Sequence, residues 1–101
     1  MTYLMAEIQG LDPGESIPNI IRLEDAIRPD GFSLKHQAAG EGFAYRFYEG
    51  PNSSVAVQPM LNGRPSLSSF DKLGIFITAE TLPEARGLFE TIQKAYVTQA
   101  A

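Results

Sequence analysis

The sequence of 101 residues contains no cysteine. This absence excludes a disulfide framework, thiolate catalysis and the thiolate ligands of most structural zinc sites. A chain without cysteine is typical of a reducing compartment, and residues 1–14 lack the basic run that opens a secretory signal peptide. We therefore expect a cytoplasmic protein.

Long apolar stretches and basic clusters are also missing. No run approaches the roughly 20 apolar residues of a membrane-spanning helix, so we expect no membrane partner. The 8 Lys and Arg residues are scattered and are outnumbered by 12 Asp and Glu residues, which gives a net charge of −4. Nucleic-acid binders gather basic residues to displace phosphate counterions, so we expect no nucleic-acid partner.

Catalytic signatures are equally scarce. The only histidine is His36, and the sequence contains neither an HExxH motif nor a cluster of metal-ligand residues. The GEG segment at 40–42 lacks the lysine of a phosphate-binding loop and indicates a hairpin turn. No GxSxG segment marks a serine nucleophile. We expect no catalytic residue, no metal and no cofactor, and we predict that the protein is not an enzyme.

The overall composition indicates a folded chain. Hydrophobic residues make up 44% and charged residues 20%, which is ordinary globular usage. A chain of this length builds one hydrophobic core rather than two. We therefore predict one domain over residues 1–101.

The C-terminal segment TLPEARGLFETIQKAYV predicts a helix. Thr81 and Glu84 have the spacing of a capping box, and Pro83 lies in the first turn. Apolar residues then recur at three- and four-residue intervals and form one stripe: Leu82, Ala85, Leu88, Phe89, Ile92 and Tyr96. Gly87 weakens the helix, and we expect it to allow another backbone to pack closely.

A second helix is predicted near the N-terminus, in SIPNIIRLEDAIRPDG. Ser16 is its expected N-cap, and Pro29 and Gly31 end it. Its apolar stripe consists of Ile20, Leu23 and Ile27. Residues 2–9 fit a strand or a short helix, and the sequence leaves both open.

The middle of the chain carries strand patterns. KLGIFITAE alternates so that Leu73, Ile75 and Ile77 face a core. FSLKH, FAYRFYE and VAVQPML are further strand segments, with GPNSS and NGRP as turn signals. Pro59 removes a ladder donor, so we expect its strand at an edge or in a bulge. The prediction is an α+β fold: an antiparallel meander of three to five strands, with the C-terminal helix on one face and the second helix near the N-terminus.

The segment GFAYRFYEG at residues 42–50 raises the question of which strand face is buried. Phe43, Tyr45 and Phe47 share one face, while Arg46 and Tyr48 share the other. We expect the face with three aromatic residues to pack under the C-terminal helix.

The opposite face would then hold Arg46 and Tyr48, joined by Met60 and Phe76 from neighbouring strands. These residue types are enriched at the centres of protein interfaces. Three coverings of this face remain open: the N-terminal helix, a protein partner, or a small ligand held in a crevice.

The leading hypothesis is a small, non-catalytic protein-binding domain. It would act as a homodimer or as a subunit of a hetero-complex, and an inhibitor or immunity-type protein of phage or mobile-element origin fits its size. Its predicted partner-binding residues are Arg46, Tyr48, Met60 and Phe76.

Two alternatives use the hairpin at residues 35–49. The first is a small-molecule or anion-binding, weakly catalytic domain that uses His36, Glu41, Tyr45 and Arg46, because arginine and histidine together can hold an anionic group. The second is an analogy of topology with small bacterial ribonuclease toxins, in which basic and aromatic strand residues would contact RNA: Lys35, His36, Tyr45, Arg46 and Tyr48. The net negative charge opposes the second alternative.

Overall fold

The structure, a computed structural model, describes residues 1–97. Its elements in chain order are β1 Thr2–Ile8, α1 Ser16–Ile27, β2 Ser33–Gly40, β3 Phe43–Glu49, β4 Ser54–Leu61, β5 Arg64–Pro65, β6 Lys72–Ala79 and α2 Leu82–Val97. Short 3₁₀ turns precede and follow α1. The predicted α+β class is confirmed, and the ambiguous N-terminal segment is a strand.

The strands form one antiparallel sheet in the order β1-β6-β4-β3-β2, and the two-residue β5 pairs with β4. The turn between β4 and β5 is made by Asn62 and Gly63, whose φ angles are 51° and 80°. Two successive positive φ angles define the type I′ turn that the NGRP signal indicates. β1 and β2 are the two edges of the sheet.

Both helices pack on the same face of the sheet, and the core lies between the two layers. β6 places Leu73, Ile75 and Ile77 there, each at most 1% exposed, as their alternation predicts. α1 contributes Leu23 and α2 contributes Ile92, both 0% exposed. Each such side chain stabilises the fold by about 1.5–3 kcal/mol through removal from water.

The predicted N-cap of α2 is confirmed. Thr81 Oγ1 accepts a hydrogen bond from the Glu84 backbone N–H at 3.3 Å. The apolar stripe is narrower than expected, because Leu82 is 38% exposed and Phe89 is only partly buried. The prediction for Gly87 is wrong, since a Cβ built at this position meets no atom within 4 Å.

Ser16 does not have its predicted role as an N-cap. It is the first residue of α1, where its hydroxyl donates to the Pro13 carbonyl at 2.7 Å and accepts from the Phe70 N–H at 2.9 Å. The 3₁₀ turn before α1 has its own cap, since Asp12 Oδ1 accepts from the Gly14 N–H at 2.9 Å. Ser16 is therefore free to join the helix to the segment before β6.

The strand that contains Pro59 is central, so the prediction of an edge strand is wrong. The Pro59 carbonyl accepts from the Ser66 N–H at 3.0 Å, which shows that its nitrogen points away from β6. On that side β3 pairs only as far as Val57, and β5 begins to pair at Met60. Pro59 therefore lies at a position where no neighbouring strand needs a backbone N–H donor.

Candidate functional site

The orientation of β3 is the reverse of the predicted one. Tyr48 pairs with Val55 of β4, and both are buried under the helices, at 2% and 0% exposed. Because side chains alternate along a strand, Phe43, Tyr45 and Phe47 lie on the face away from the helices. Both faces of this strand are apolar enough to be buried, so periodicity alone could not decide between them.

Glu24 of α1 provides the polar partner that the buried face with Arg46 and Tyr48 needs. The Tyr48 hydroxyl donates to Glu24 Oε2 at 2.7 Å, and Arg46 Nη1 lies 3.6 Å from the same oxygen. Burial raises the pKa of Tyr48, the hydrogen bond to Glu24 raises it further, and Arg46 opposes both effects. The N-terminal helix therefore covers Arg46 and Tyr48, and this is the first of the three coverings left open by the sequence.

The opposite side of the sheet, here called the open face, is not covered by any helix of residues 1–97. Its apolar and aromatic members come from β1, β3, β4 and β6: Tyr3, Met5, Phe43, Tyr45, Phe47, Ala56, Met60 and Phe76. Tyr3 is 74% exposed, and Met5 is 71% exposed. Antiparallel sheets usually present polar side chains to water on such a face, so this composition distinguishes the open face from an ordinary solvated surface.

One row of the open face crosses all five long strands. Met5 pairs with Phe76, Phe76 with Ala56, Ala56 with Phe47, and Phe47 with His36. We call these five residues the cross-strand band. At about 4.8 Å between strands, the band is about 19 Å long.

A hollow lies beside the band because Gly74 has no side chain. Its volume is about 350 Å³, and its wall includes Met5, Met60 and Phe76. An ion pair between Lys72 Nζ and Glu7 Oε2, at 3.1 Å, forms part of the rim. The open face therefore presents projecting aromatic side chains next to a recess whose wall is mostly apolar.

Charge is low on the open face. Its strand positions carry Glu7, Glu49 and Lys72, together with His36 at the β2 end of the band. With neutral histidine, these groups sum to −1, against −4 for the whole chain. The open face therefore carries few charged groups.

The predicted partner-binding residues are divided between the two sides of the sheet. Met60 and Phe76 lie on the open face, whereas Arg46 and Tyr48 lie on the side of the helices. The prediction that they share one surface is therefore wrong, because β3 has the opposite orientation to the predicted one. Met5 was not among the predicted residues, and its place on this face follows from the alternation of TYLMAEI once that segment is a strand.

The residues of the ligand-binding alternative do not converge. Tyr45 and His36 are in contact on the open face, with the hydroxyl 3.1 Å from His36 Nδ1 and the rings edge to face at 5.4 Å. Arg46 points to the opposite side. Glu41 lies in the turn after Gly40, and Gly40 itself is four residues, or about 13 Å, along the strand from His36.

Within residues 1–97, no group of three or more His, Cys, Asp or Glu side chains is placed to hold a metal ion. No helix in that part of the chain is long and apolar enough to cross a membrane. Comparisons with protein-family models, curated proteins and solved structures give no match.

Proposed function

We propose that this protein is a non-catalytic protein-binding domain of the cytoplasm and that the open face is its binding surface. The observation that carries this proposal is the cross-strand band, in which Met5, Phe76, Ala56, Phe47 and His36 form one registered row. The partner is a second copy of the chain or another protein.

The composition of the open face supports a macromolecular partner. Aromatic residues and methionine are enriched at the centres of protein interfaces, where charged residues are depleted. The centre of the open face has this composition, while Glu7, Lys72 and Glu49 lie at its periphery. Contiguous apolar patches larger than a few hundred Å² are rare on monomeric proteins and mark interaction sites.

The open face also contributes little to the core, which lies under the helices. Met5 is 71% exposed although its neighbour Leu4 packs against the core on the other side of β1. A side chain that leaves most of its apolar surface in water does little for the stability of the monomer. Binding of a partner would remove this apolar surface from water.

Photochemical crosslinking at a single position tests the proposal. Phe76 is replaced by the photoreactive p-benzoylphenylalanine in the full chain, and the purified protein is irradiated alone and in cell lysate. The matched control carries the same group at Ile17, an apolar side chain of α1 that is 71% exposed.

We expect a discrete protein adduct from position 76 and none from position 17. An adduct of twice the chain mass identifies self-association, and another discrete mass identifies a different partner. If position 76 gives no adduct under either condition, or if both positions give the same adducts, the open face is not the binding surface.

A further inference from the structure

We infer that the occupant of the open face is a second copy of this chain, packed face to face about a two-fold axis. This inference rests on the proposed function and specifies its partner. Three properties of the open face favour a second copy over an unrelated protein: the symmetry of its pattern, its area and its charge.

The first property is the order of residues in the cross-strand band. Phe76 and Phe47 lie on either side of Ala56, so the centre of the band is aromatic, small, aromatic in both directions. A two-fold axis that runs between the two sheets beside Ala56 places Ala56 opposite its own copy and the two phenylalanine rings opposite rings of the other copy. An isologous interface buries the same patch on both copies, so each residue contacts the symmetry-related patch of the other copy.

The band and the hollow extend this self-complementarity. Two stacked sheets pack about 10 Å apart, with side chains of the two inner faces interdigitating. The small side chain of Ala56, which faces its own copy across the axis, leaves room at the axis for the flanking rings of both copies. The hollow at Gly74 is a second recess on the same face, and a two-fold dimer contains each recess twice, once on each copy.

The second property is area. Five strands spaced at about 4.8 Å, with seven or eight residues each, give a face of about 24 by 25 Å. Its projected area is about 600 Å² per copy, and the projecting side chains add further surface to this value. Two copies therefore bury about 1,200 Å² or more, which reaches the range of specific, stable interfaces.

The third property is charge. The strand positions of the open face carry a net charge of only −1, and Glu7 is already paired with Lys72 at 3.1 Å. Two copies that meet through this face therefore bring little like charge together.

Sedimentation equilibrium of the full chain and three variants tests this inference. Met5→Ser removes an apolar side chain from one end of the band, and Ile17→Ser is the matched control, because both residues are 71% exposed. Gly74→Val fills the hollow from a strand that is not at the sheet edge. A Cβ at Gly74 makes only ordinary contacts, the nearest being 3.6 Å from Gln58 Cβ.

We expect a monomer–dimer equilibrium whose dissociation constant rises about tenfold or more in Met5→Ser and Gly74→Val and stays within about twofold in Ile17→Ser. Denaturation at low protein concentration should show that all three variants remain folded. An effect of Met5→Ser without one of Gly74→Val would indicate pairing through the β1 edge and overturn the inference. Assembly beyond a dimer would also overturn it.

A wild-type chain that stays monomeric at all concentrations contradicts the homodimer. In that case, an adduct of another mass from position 76 would preserve the proposed protein-binding function while the second copy is rejected. The absence of any such adduct would reject both. The two failures are therefore distinguishable.

Discussion

The Tyr48 hydroxyl donates a 2.7 Å hydrogen bond to Glu24 Oε2 and so joins the middle of β3 to α1. Tyr48 is only 2% exposed, and this contact provides the hydrogen-bond partner that a buried phenol requires. It is made on the face of β3 that points toward the helices. The exposure of Phe43, Tyr45 and Phe47 on the open face follows from this orientation.

Truncation of Tyr48 should therefore damage the fold itself. We expect Tyr48→Ala to lower the free energy of unfolding by about 3–5 kcal/mol, as for other large aromatic residues in cores. Tyr48→Phe should cost only about 1 kcal/mol, because it removes one hydrogen bond and Glu24 keeps access to water. Urea denaturation at two protein concentrations measures both. A loss in Tyr48→Ala that disappears at high concentration would assign Tyr48 to an interface instead.

Alkaline pH should destabilise the protein through its buried tyrosines. Burial raises the pKa of Tyr48 and also that of Tyr96, whose hydroxyl donates to the Asn19 carbonyl at 2.9 Å. In the unfolded chain both ionise near pH 10. Above that pH the folded state binds more protons, so the free energy of unfolding falls as pH rises, by up to about 1.4 kcal/mol per pH unit for each tyrosine.

Urea denaturation between about pH 8 and pH 11 checks this dependence, since the range spans the ordinary tyrosine pKa. The stability should be insensitive to these tyrosines below about pH 9 and decline above pH 10. Tyr48→Phe is the control, because it removes one of the two groups and should make the decline less steep. An unchanged slope in Tyr48→Phe would show that ionisation of Tyr48 does not limit stability.

Gly87→Ala should stabilise the protein. A Cβ at this position meets no atom within 4 Å, and alanine favours a helix interior over glycine by about 0.5–1 kcal/mol. The same substitution at Gly31 should be destabilising, because φ is 89° there and a Cβ would lie 3.1 Å from Pro51 Cδ. Thermal denaturation compares the two variants. If Gly87→Ala melts below the wild type, the space beside α2 is not open.

Ser16→Ala should lower stability through a backbone group elsewhere in the chain. The substitution removes the acceptor of the Phe70 N–H and leaves this buried donor without its hydrogen bond, at a cost of about 1–3 kcal/mol. Ser68→Ala is the control, since Ser68 is exposed and ordinary surface substitutions change stability by less than about 0.5 kcal/mol. Equal denaturation midpoints for the two variants would show that the Ser16 hydroxyl does not support the fold.

The elements that the sequence predicts well each have a single apolar face. In β6 the alternation of Leu73, Ile75 and Ile77 with smaller or less apolar neighbours allows only one orientation. In α1 the stripe of Ile20, Leu23 and Ile27 is buried as expected. Local periodicity is sufficient where the other face could not be buried.

The candidate site was harder to predict, because it depends on β3, where both faces are apolar. On the buried face Tyr48 contacts Glu24, 24 residues earlier, and no local pattern reports such a contact. The cross-strand band depends in addition on strand order. Met5 and Phe76 are far apart in sequence and become neighbours only because β1 pairs with β6.

The methionine methyl groups provide the most direct test of self-association through the open face. The chain has three methionines: Met5 and Met60 lie on that face, and Met1 is an 81% exposed terminal residue that serves as the internal control. Carbon-13 methyl spectra are recorded from about 10 µM to about 1 mM protein, a range that extends well above micromolar dissociation constants. We predict that the signals of Met5 and Met60 shift with concentration and become protected from a soluble paramagnetic agent, while Met1 stays constant. Signals of Met5 and Met60 that remain unchanged and as accessible as Met1 throughout this range would contradict the account.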